Sequence, residues 1–179
     1  QLQGFFDIPV DHLYAAPVFM EYFGKLDLAE FTVVAPDLGS VKMARAYANR
    51  LGVPLAIVEK RRPKANDLEV MNVIGASEVS GRNLIMIDDM IDTGMTLIKA
   101  AEKLRDVGAR DIYACATHGV FSGGALRKIE DSVLSGVIVT DTVPIEKTPK
   151  VQVLSTQRLF AEAILRIHRS ESLSILFQP

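Results

Sequence analysis

Short apolar segments that alternate with helical patterns constrain the fold of this chain more than any other feature of its sequence. The segments predicted as strands lie at 31–35, 55–58, 84–87, 112–116, 137–139 and 151–154. They are apolar throughout rather than at every second residue, which is typical of strands that are buried on both faces. Strands of this kind that are joined by helices form parallel sheets. The sequence therefore predicts an α/β fold, with a parallel sheet flanked by helices on both faces.

The helices that connect these strands are predicted from apolar residues at helical spacing and from their stop signals. They lie at 41–51, 96–107, 124–129 and from about 156 onward. Gly52 and Gly108 follow the first two helices as C-terminal stops. Ser155 or Thr156 is predicted to cap the last helix. The face that this helix is expected to bury contains Leu159, Phe160, Ala163, Ile164 and Ile167.

The composition excludes several classes of protein. The 179 residues include 20 Lys and Arg against 22 Asp and Glu, a net charge of −2, so overall charge gives no reason to expect nucleic acid as a partner. A single cysteine, Cys115, can form neither an internal disulfide nor a Cys-rich zinc module. No apolar run approaches the roughly 18 residues of a membrane span, and no leader is recognisable, so we expect a cytoplasmic protein without a membrane partner.

Acidic and hydroxyl residues follow the strand predicted at 84–87. Asp88 and Asp89 come directly after it, and two adjacent carboxylates there are costly unless a divalent cation or sugar hydroxyls compensate them. Residues 92–96 then turn into a helix, whose first N–H groups, with threonine hydroxyls beside them, suit a phosphate. A phosphorylated sugar carries both kinds of group. The alternative is a turn in which Asp and Thr only cap the helix.

Two other strand ends carry polar residues and reach the same sheet edge, where ligands of parallel sheets bind. Residues 60–64 include four basic side chains that suit a polyphosphate, although a solvated basic loop explains them too. At 37–40, backbone amides can hold a second phosphate group and Asp37 a metal ion, but a plain turn before a helix explains this segment equally well. No P-loop or dinucleotide motif occurs. We interpret His118 as a structural turn residue and Cys115 as inert core.

The chain resembles the ribose-phosphate pyrophosphokinase family, also called phosphoribosyl pyrophosphate synthetase, over nearly its whole length. The segments that carry the resemblance are 3–11, 13–15, 60–66, 88–96 and 171–177. The resemblance implies a phosphoribosyltransferase-like fold. It also implies the transfer, with Mg²⁺, of the diphosphoryl group of ATP to the C1 hydroxyl of ribose 5-phosphate, giving phosphoribosyl pyrophosphate and AMP.

The resemblance also implies a role for each matching residue. Asp88 and Asp89 would engage the ribose hydroxyls, and Asp92, Thr93, Gly94, Met95 and Thr96 would cradle the 5-phosphate. Asp37, Leu38, Gly39 and Ser40 match the pyrophosphate loop, and Lys60 and Arg62 match the mobile catalytic loop. The implied metal ligands are Asp37, Asp88 and Asp89. The family usually has glycine where Ser40 and Met95 stand, and a side chain at either position is expected to crowd a backbone that approaches phosphate.

The family chain has two similar domains, and this sequence begins about where the first is expected to end. We therefore predict a remnant of the preceding domain at 1–14, a phosphoribosyltransferase-like domain at 15–155, and a helix and tail at 156–179 that would pack on an N-terminal domain. That domain would carry most of the ATP site and a metal-binding histidine, so this chain alone is expected to bind ribose 5-phosphate without turnover. Phe5, Phe6, Leu173 and Phe177 are then either exposed or covered by another chain.

The resemblance further implies a homo-oligomer with a regulatory phosphate or ADP site at subunit contacts. The residues that match this site are Gln3, Asp11, Ser172, Ser174 and Phe177. Two other functions stay open. A type I phosphoribosyltransferase shares the fold but needs a base-recognition segment, which the sequence does not reveal. A non-catalytic associated or regulatory subunit is favoured by Ser40 and Met95.

Overall fold

A computed structural model describes residues 2–61, 70–146 and 148–177 of the chain. Within these ranges the strands are β1 (Phe31–Ala35), β2 (Leu55–Arg61), β3 (Val70–Ile74), β4 (Asn83–Ile91), β5 (Ile112–Gly119), β6 (Gly136–Thr140) and β7 (Val151–Leu154). The α-helices are α1 (Ala16–Phe23), α2 (Val41–Leu51), α3 (Met95–Asp106), α4 (Ala125–Glu130) and α5 (Gln157–His168). Short 3-10 helices lie at Leu2–Phe5, Ala76–Glu78 and Ser174–Phe177. None of the helices in these ranges is long and apolar enough to span a membrane.

The described strands form one sheet in the order β3-β2-β1-β4-β5-β6-β7. Every neighbouring pair is parallel except β2 and β3, which pair antiparallel with Ile57 opposite Ile74. The prediction of a parallel sheet is confirmed for the six strands that the sequence pattern identified. The prediction omitted β3, which lies at the sheet edge and folds back on β2.

Apolar side chains from alternate strand positions fill a core on each face of the sheet. Leu84 and Met86 of β4 pack on one face, against a cluster that includes Leu104 of α3 and Ile129 of α4. Ile85 and Ile87, which alternate with these residues along β4, pack on the other face with Phe19 and Phe23 of α1 and with α2. Because both faces are covered, the strands can be apolar throughout. The predicted helices on both faces are confirmed.

Strand β4 is longer than its apolar segment predicts. It continues through Asp88 and Asp89 to Ile91, because Met90 pairs with His118 and Ile91 with Gly119 of β5. The two carboxylates therefore lie within the strand rather than after it. Successive side chains of a strand point to opposite faces, so Asp88 and Asp89 diverge.

Helix α5 differs most from its prediction. Of the residues expected on its buried face, Ala163 is buried and Leu159 is partly buried, whereas Phe160, Ile164 and Ile167 are exposed, Ile164 by 66%. Thr156 occupies the N-cap position, but its hydroxyl donates to Asp141 Oδ1 (2.6 Å) instead of capping the helix. Ser155, the other predicted cap, accepts a long hydrogen bond at Oγ from the N–H of Gln157 (3.3 Å). At the other end of the chain Phe5 is 83% exposed.

Candidate functional site

The candidate site is a cleft at the carboxyl edge of the sheet, where β1 ends beside the last residues of β4. Val34 of β1 pairs with Met86 of β4, so the loops that follow these strands meet. The cleft has a volume of about 150 Å³. Its walls are formed by Asp37, Asp88, Met90, Ile91, Asp92, Thr93, Gly94, Met95, Thr96 and Leu97. The structure thus brings the predicted phosphate loop together with one carboxylate of the predicted acidic pair and with Asp37.

The turn from β4 into α3 depends on Gly94. Its φ of 72° lies in the left-handed region that glycine adopts without strain, and it occupies the N-cap position of α3. Gly94 O accepts the N–H of Ile98 (3.0 Å), which starts the helix. The N–H groups of the first helical turn have no partner within the helix and face its N-terminal end. They are the donors that an anion in this cleft would meet.

Asp88, like Asp37, is a half-buried carboxylate of the cleft. Its pKa is raised to about 6, chiefly by burial and also by the negative charges of Asp37 and Asp89, while the N–H of Asp89 opposes the shift by donating to Oδ1 (3.0 Å). The ionised form of such a partly buried carboxylate would be stabilised by a bound cation or by hydrogen bonds from hydroxyl groups. Asp89, in contrast, is exposed and does not line the cleft.

Ser40 holds the carboxylate of Asp37. Both its N–H (3.0 Å) and its hydroxyl (2.7 Å) donate to Asp37 Oδ1. Ser40 is buried and is absent from the cleft lining, whereas Leu38 and Gly39 are exposed. The Ser40 hydroxyl turns to Asp37, and the expectation that its side chain crowds a backbone that approaches phosphate stays a prediction. Met95 does line the cleft, and its side chain is 39% exposed.

The loop between β5 and α4 is hydrogen-bonded to the predicted phosphate loop, a contact that the sequence analysis missed. The N–H groups of Val120 and Phe121 both donate to Ile91 O (3.0 Å each), and the Ser122 hydroxyl donates to Asp92 Oδ1. The available signal was the Phe-Ser-Gly-Gly turn at 121–124, which follows a parallel strand and so reaches the same sheet edge.

The predicted basic loop is only partly described. Strand β2 pairs with β1 as far as Ile57 and then extends beyond the end of β1 together with β3, so exposed Lys60 lies on a two-stranded arm at the carboxyl edge. Arg62, the other predicted catalytic residue, lies outside the described residues.

Three of the residues predicted at a regulatory site lie together in a second depression of about 480 Å³. They are Gln3, Asp11 and Phe177, and the depression also includes His12 and Tyr14. The Tyr14 and Phe177 rings meet edge-on at 6.3 Å. The remaining two, Ser172 and Ser174, do not line it and instead share a hydrogen bond between their hydroxyls (3.0 Å).

Two polar residues of the sheet have structural roles in the described chain. His118 Nδ1 lies 2.8 Å from Thr142 Oγ1, but the prediction of a turn residue is wrong, because His118 lies within β5 and pairs with Met90 of β4. Cys115 is fully buried, and burial raises the pKa of its thiol well above the usual range, so it is an unreactive core residue.

Comparisons with known proteins agree on one family. Residues 59–178 match the family model described as the phosphoribosyl synthetase-associated domain. Ribose-phosphate pyrophosphokinases of Caldanaerobacter subterraneus subsp. tengcongensis and Ralstonia nicotianae are each 52% identical to this chain over 99% of its length and 57% of theirs. The chain thus spans a little over half the length of these curated relatives.

Solved structures extend the comparison to the fold. The phosphoribosylpyrophosphate synthetase of Mycobacterium smegmatis superposes with a TM-score of 0.83 and 40% identity, over 95% of this chain and 56% of that one. The APRTase of Giardia lamblia is similar in fold alone, with a TM-score of 0.55 and 14% identity over 76% of this chain and 74% of that one. The resemblance and the fold class predicted from the sequence are confirmed, and the chain belongs to the family of the phosphoribosyl synthetase-associated domain.

Proposed function

We propose that this chain forms the ribose 5-phosphate site of a ribose-phosphate diphosphokinase. In that reaction the C1 hydroxyl of ribose 5-phosphate attacks the β-phosphorus of ATP, the bond from that phosphorus to the α-phosphate oxygen breaks, and phosphoribosyl pyrophosphate and AMP form. The observation that carries the proposal is the cleft in which Asp88 and the N-terminal turn of α3 lie side by side. The family of the chain and its relatives support the same activity.

The two parts of the cleft suit the two ends of the sugar. The 5-phosphate would accept hydrogen bonds from the amides of residues 93–96, with the Thr93 and Thr96 hydroxyls beside them. The ribose hydroxyls would donate to Asp88 and, as the family pattern proposes, to Asp89. Asp92 also lines the cleft, and the hydrogen bond from Ser122 to its carboxylate would lessen the repulsion between that carboxylate and the phosphate.

The donor set fits Mg²⁺ that is shared with a substrate. The described residues contain no group of three or more His, Cys, Asp or Glu side chains that could hold a metal ion by themselves. Mg²⁺ is commonly held by one or two carboxylates together with substrate phosphates and water. Asp37 and Asp88 are two such carboxylates in one cleft, with Asp89 as a further proposed ligand. When bound, Mg²⁺ would neutralise phosphate charge.

The transfer itself would depend on position and charge more than on covalent catalysis. Residues 37–40 would hold the pyrophosphate group, and Lys60 and Arg62 would stabilise the charge on the transferred group. The resemblance assigns most ATP contacts to a region outside these 179 residues. We therefore propose that the isolated chain binds ribose 5-phosphate but does not turn over. We further propose that the protein is a cytoplasmic homo-oligomer. A regulatory anion site would lie near Gln3, Asp11, Ser172, Ser174 and Phe177.

Isothermal titration calorimetry tests the sugar site directly. The chain is expected to bind ribose 5-phosphate and to bind ribose much more weakly, because ribose lacks the phosphate. Thr96→Val is expected to raise the Kd for ribose 5-phosphate by about tenfold, the usual scale for a hydrogen bond to a charged group. Thr142→Val, which removes a hydroxyl away from the cleft, should leave the Kd unchanged.

The outcomes separate the parts of the proposal. Equal affinity for ribose and ribose 5-phosphate would contradict a phosphate-binding loop. Formation of phosphoribosyl pyrophosphate and AMP by the isolated chain at a normal enzymatic rate would contradict only the absence of turnover.

The second candidate is a non-catalytic subunit that keeps the fold and its oligomer contacts. It is favoured by Met95, whose side chain lines the cleft where the family usually has glycine. A chain of this kind would show no heat with ribose 5-phosphate, with or without Mg²⁺. The same titration therefore decides between the two functions.

A further inference from the structure

Ser40 supplies two of the hydrogen bonds that fix Asp37. Its N–H and its hydroxyl donate to the same oxygen, Oδ1, at 3.0 and 2.7 Å. Ser40 is only 5% exposed, so water competes little for either bond. The two bonds leave Oδ2 of Asp37 as the oxygen that can take a further ligand.

The direction of the hydroxyl is unusual for the position of this serine. Ser40 occupies the N-cap position of α2, where a serine side chain ordinarily accepts a hydrogen bond from an N–H of the first helical turn. Here it makes no capping bond and donates to Asp37 instead. The N-terminus of α2 therefore has no side-chain cap from Ser40, and Asp37, which follows β1, accepts a charge-assisted hydrogen bond instead.

Electrostatic repulsion explains why such a bond is needed. Asp37 and Asp88 line the same small cleft, and two carboxylates at close range repel each other. A freely rotating Asp37 would turn towards solvent when no cation lies between the two groups. The donors of Ser40 oppose that rotation, and glycine at position 40 would retain only the N–H.

We propose that Ser40 is a positioning residue, which holds the Asp37 carboxylate in the cleft so that Oδ2 meets a divalent cation shared with the substrate. The inference rests on the proposed function, in which Asp37 is a metal ligand. It adds that the serine, at a position where the family usually has glycine, strengthens cation binding by preorganising that ligand.

Direct cation binding tests the inference without any measurement of turnover. Mn²⁺ replaces Mg²⁺ as the probe, and its binding is followed by electron paramagnetic resonance with and without ribose 5-phosphate. Ser40→Ala is expected to weaken Mn²⁺ binding by about tenfold, the lower end of the range for groups that orient metal ligands. Ser40→Thr keeps the hydroxyl and should restore affinity to nearly that of the unmodified chain.

Two controls separate positioning from a general structural effect. Ser155→Ala removes a comparable hydroxyl that donates to a different carboxylate, Asp141 Oδ2 (2.7 Å), and is expected to leave Mn²⁺ binding unchanged. In an Asp37→Asn background, Ser40→Ala should cause no further loss. Ser40→Gly, which removes the hydroxyl in the same way, provides a second test if the alanine variant does not fold.

The inference is overturned if Ser40→Ala and Ser40→Gly bind Mn²⁺ as tightly as the unmodified chain, if Ser40→Ala still weakens binding in the Asp37→Asn background, or if the unmodified chain binds no Mn²⁺. Titration of ribose 5-phosphate in EDTA, which removes divalent cations, tests the proposed function independently of the role of Ser40. Sugar phosphate binding that persists in EDTA leaves the proposed function intact while the role of Ser40 fails.

Discussion

Asp88 is partly buried near the carboxyl end of β4 and close to two other carboxylates, and this combination determines how its pKa is shifted. Its pKa is raised to about 6, chiefly by burial, with the neighbouring carboxylates of Asp37 and Asp89 adding to the rise. The folded chain therefore holds the Asp88 proton more tightly than the unfolded chain does. Stability from this group is complete below the unfolded pKa of about 4 and is lost as the pH rises through 6.

Substitution of Asp88 by asparagine tests this linkage. Asp88→Asn removes the charge and is expected to raise the melting temperature at pH 7.5, while at pH 4.5 the difference between the two proteins should be clearly smaller. The gain corresponds to about 1–2 kcal/mol, because solvent at the mouth of the cleft screens part of the charge. Thermal unfolding of both proteins at several pH values measures the difference.

The exposed carboxylate at the end of α3 provides the control. Asp106→Asn removes a charge that lies outside the cleft, and its melting temperature should follow that of the unmodified chain at each pH. A stabilisation by Asp88→Asn of equal size at pH 4.5 and pH 7.5 would show that the charge of Asp88 is not the cause.

At the scale of elements, the conformation of Gly94 in the β4–α3 turn is expected to affect both stability and ligand binding. Gly94 and Gly81 have nearly the same left-handed φ, 72° and 73°. A Cβ on Gly94 would meet Ile129 at ordinary contact distance, and a Cβ on Gly81 would meet nothing within 4 Å. Alanine at either position therefore costs mainly conformational strain, about 1–2 kcal/mol. Only Gly94 lies in the cleft.

This matched pair predicts a separation of two effects. Gly94→Ala and Gly81→Ala should lower the melting temperature similarly, by a few degrees in a domain of this size. Only Gly94→Ala is expected to raise the Kd for ribose 5-phosphate, because strain there displaces the amides that face the phosphate. Thermal unfolding and calorimetry on the same samples give both values. An equal loss of affinity in both variants would mean that destabilisation, rather than loop geometry, weakens binding.

The elements that could be predicted from the sequence are those whose burial is complete within the chain. The strands at 31–35 and 84–87 are apolar because both of their faces pack against helices, and apolar residues without alternation report that directly. Strand β3 lies at the sheet edge, where Asn72 interrupts the apolar pattern, and its pairing with β2 rather than its own sequence makes it a strand. Local propensity does not reveal partners of this kind.

The candidate site could likewise be predicted only in part, where its residues are close in the sequence. Asp88 and residues 92–96 stand next to each other in the sequence, so their shared cleft follows from a strand that leads into a helix. Ser122 approaches Asp92 from 30 residues away, and no motif links the two. The end of β4 was misplaced because pairing with β5 extends the strand through its charged residues, whereas the sequence pattern marks only the apolar part.

On the scale of the whole molecule, the apolar residues that α5 leaves exposed are the main departure from a self-contained domain. Phe160, Ile164 and Ile167 are exposed on this helix, and Phe5, Phe6 and Ile8 are exposed near the other end of the chain. Exposed apolar residues of this size favour association, because contact with another surface removes them from water. We expect the isolated chain to associate with further copies of itself through α5.

The double substitution Phe160→Gln with Ile164→Gln tests this expectation. It should shift the chain towards monomer in sedimentation velocity at rising protein concentration, because burial of these two side chains no longer favours contact. Ala161→Gln places the same side chain at an exposed position of the same helix and should leave association unchanged. The Kd for ribose 5-phosphate should stay the same in both proteins, since the cleft lies at the ends of β1 and β4. If the unmodified chain sediments as a monomer throughout, or if the double variant associates as strongly, α5 does not mediate association between copies.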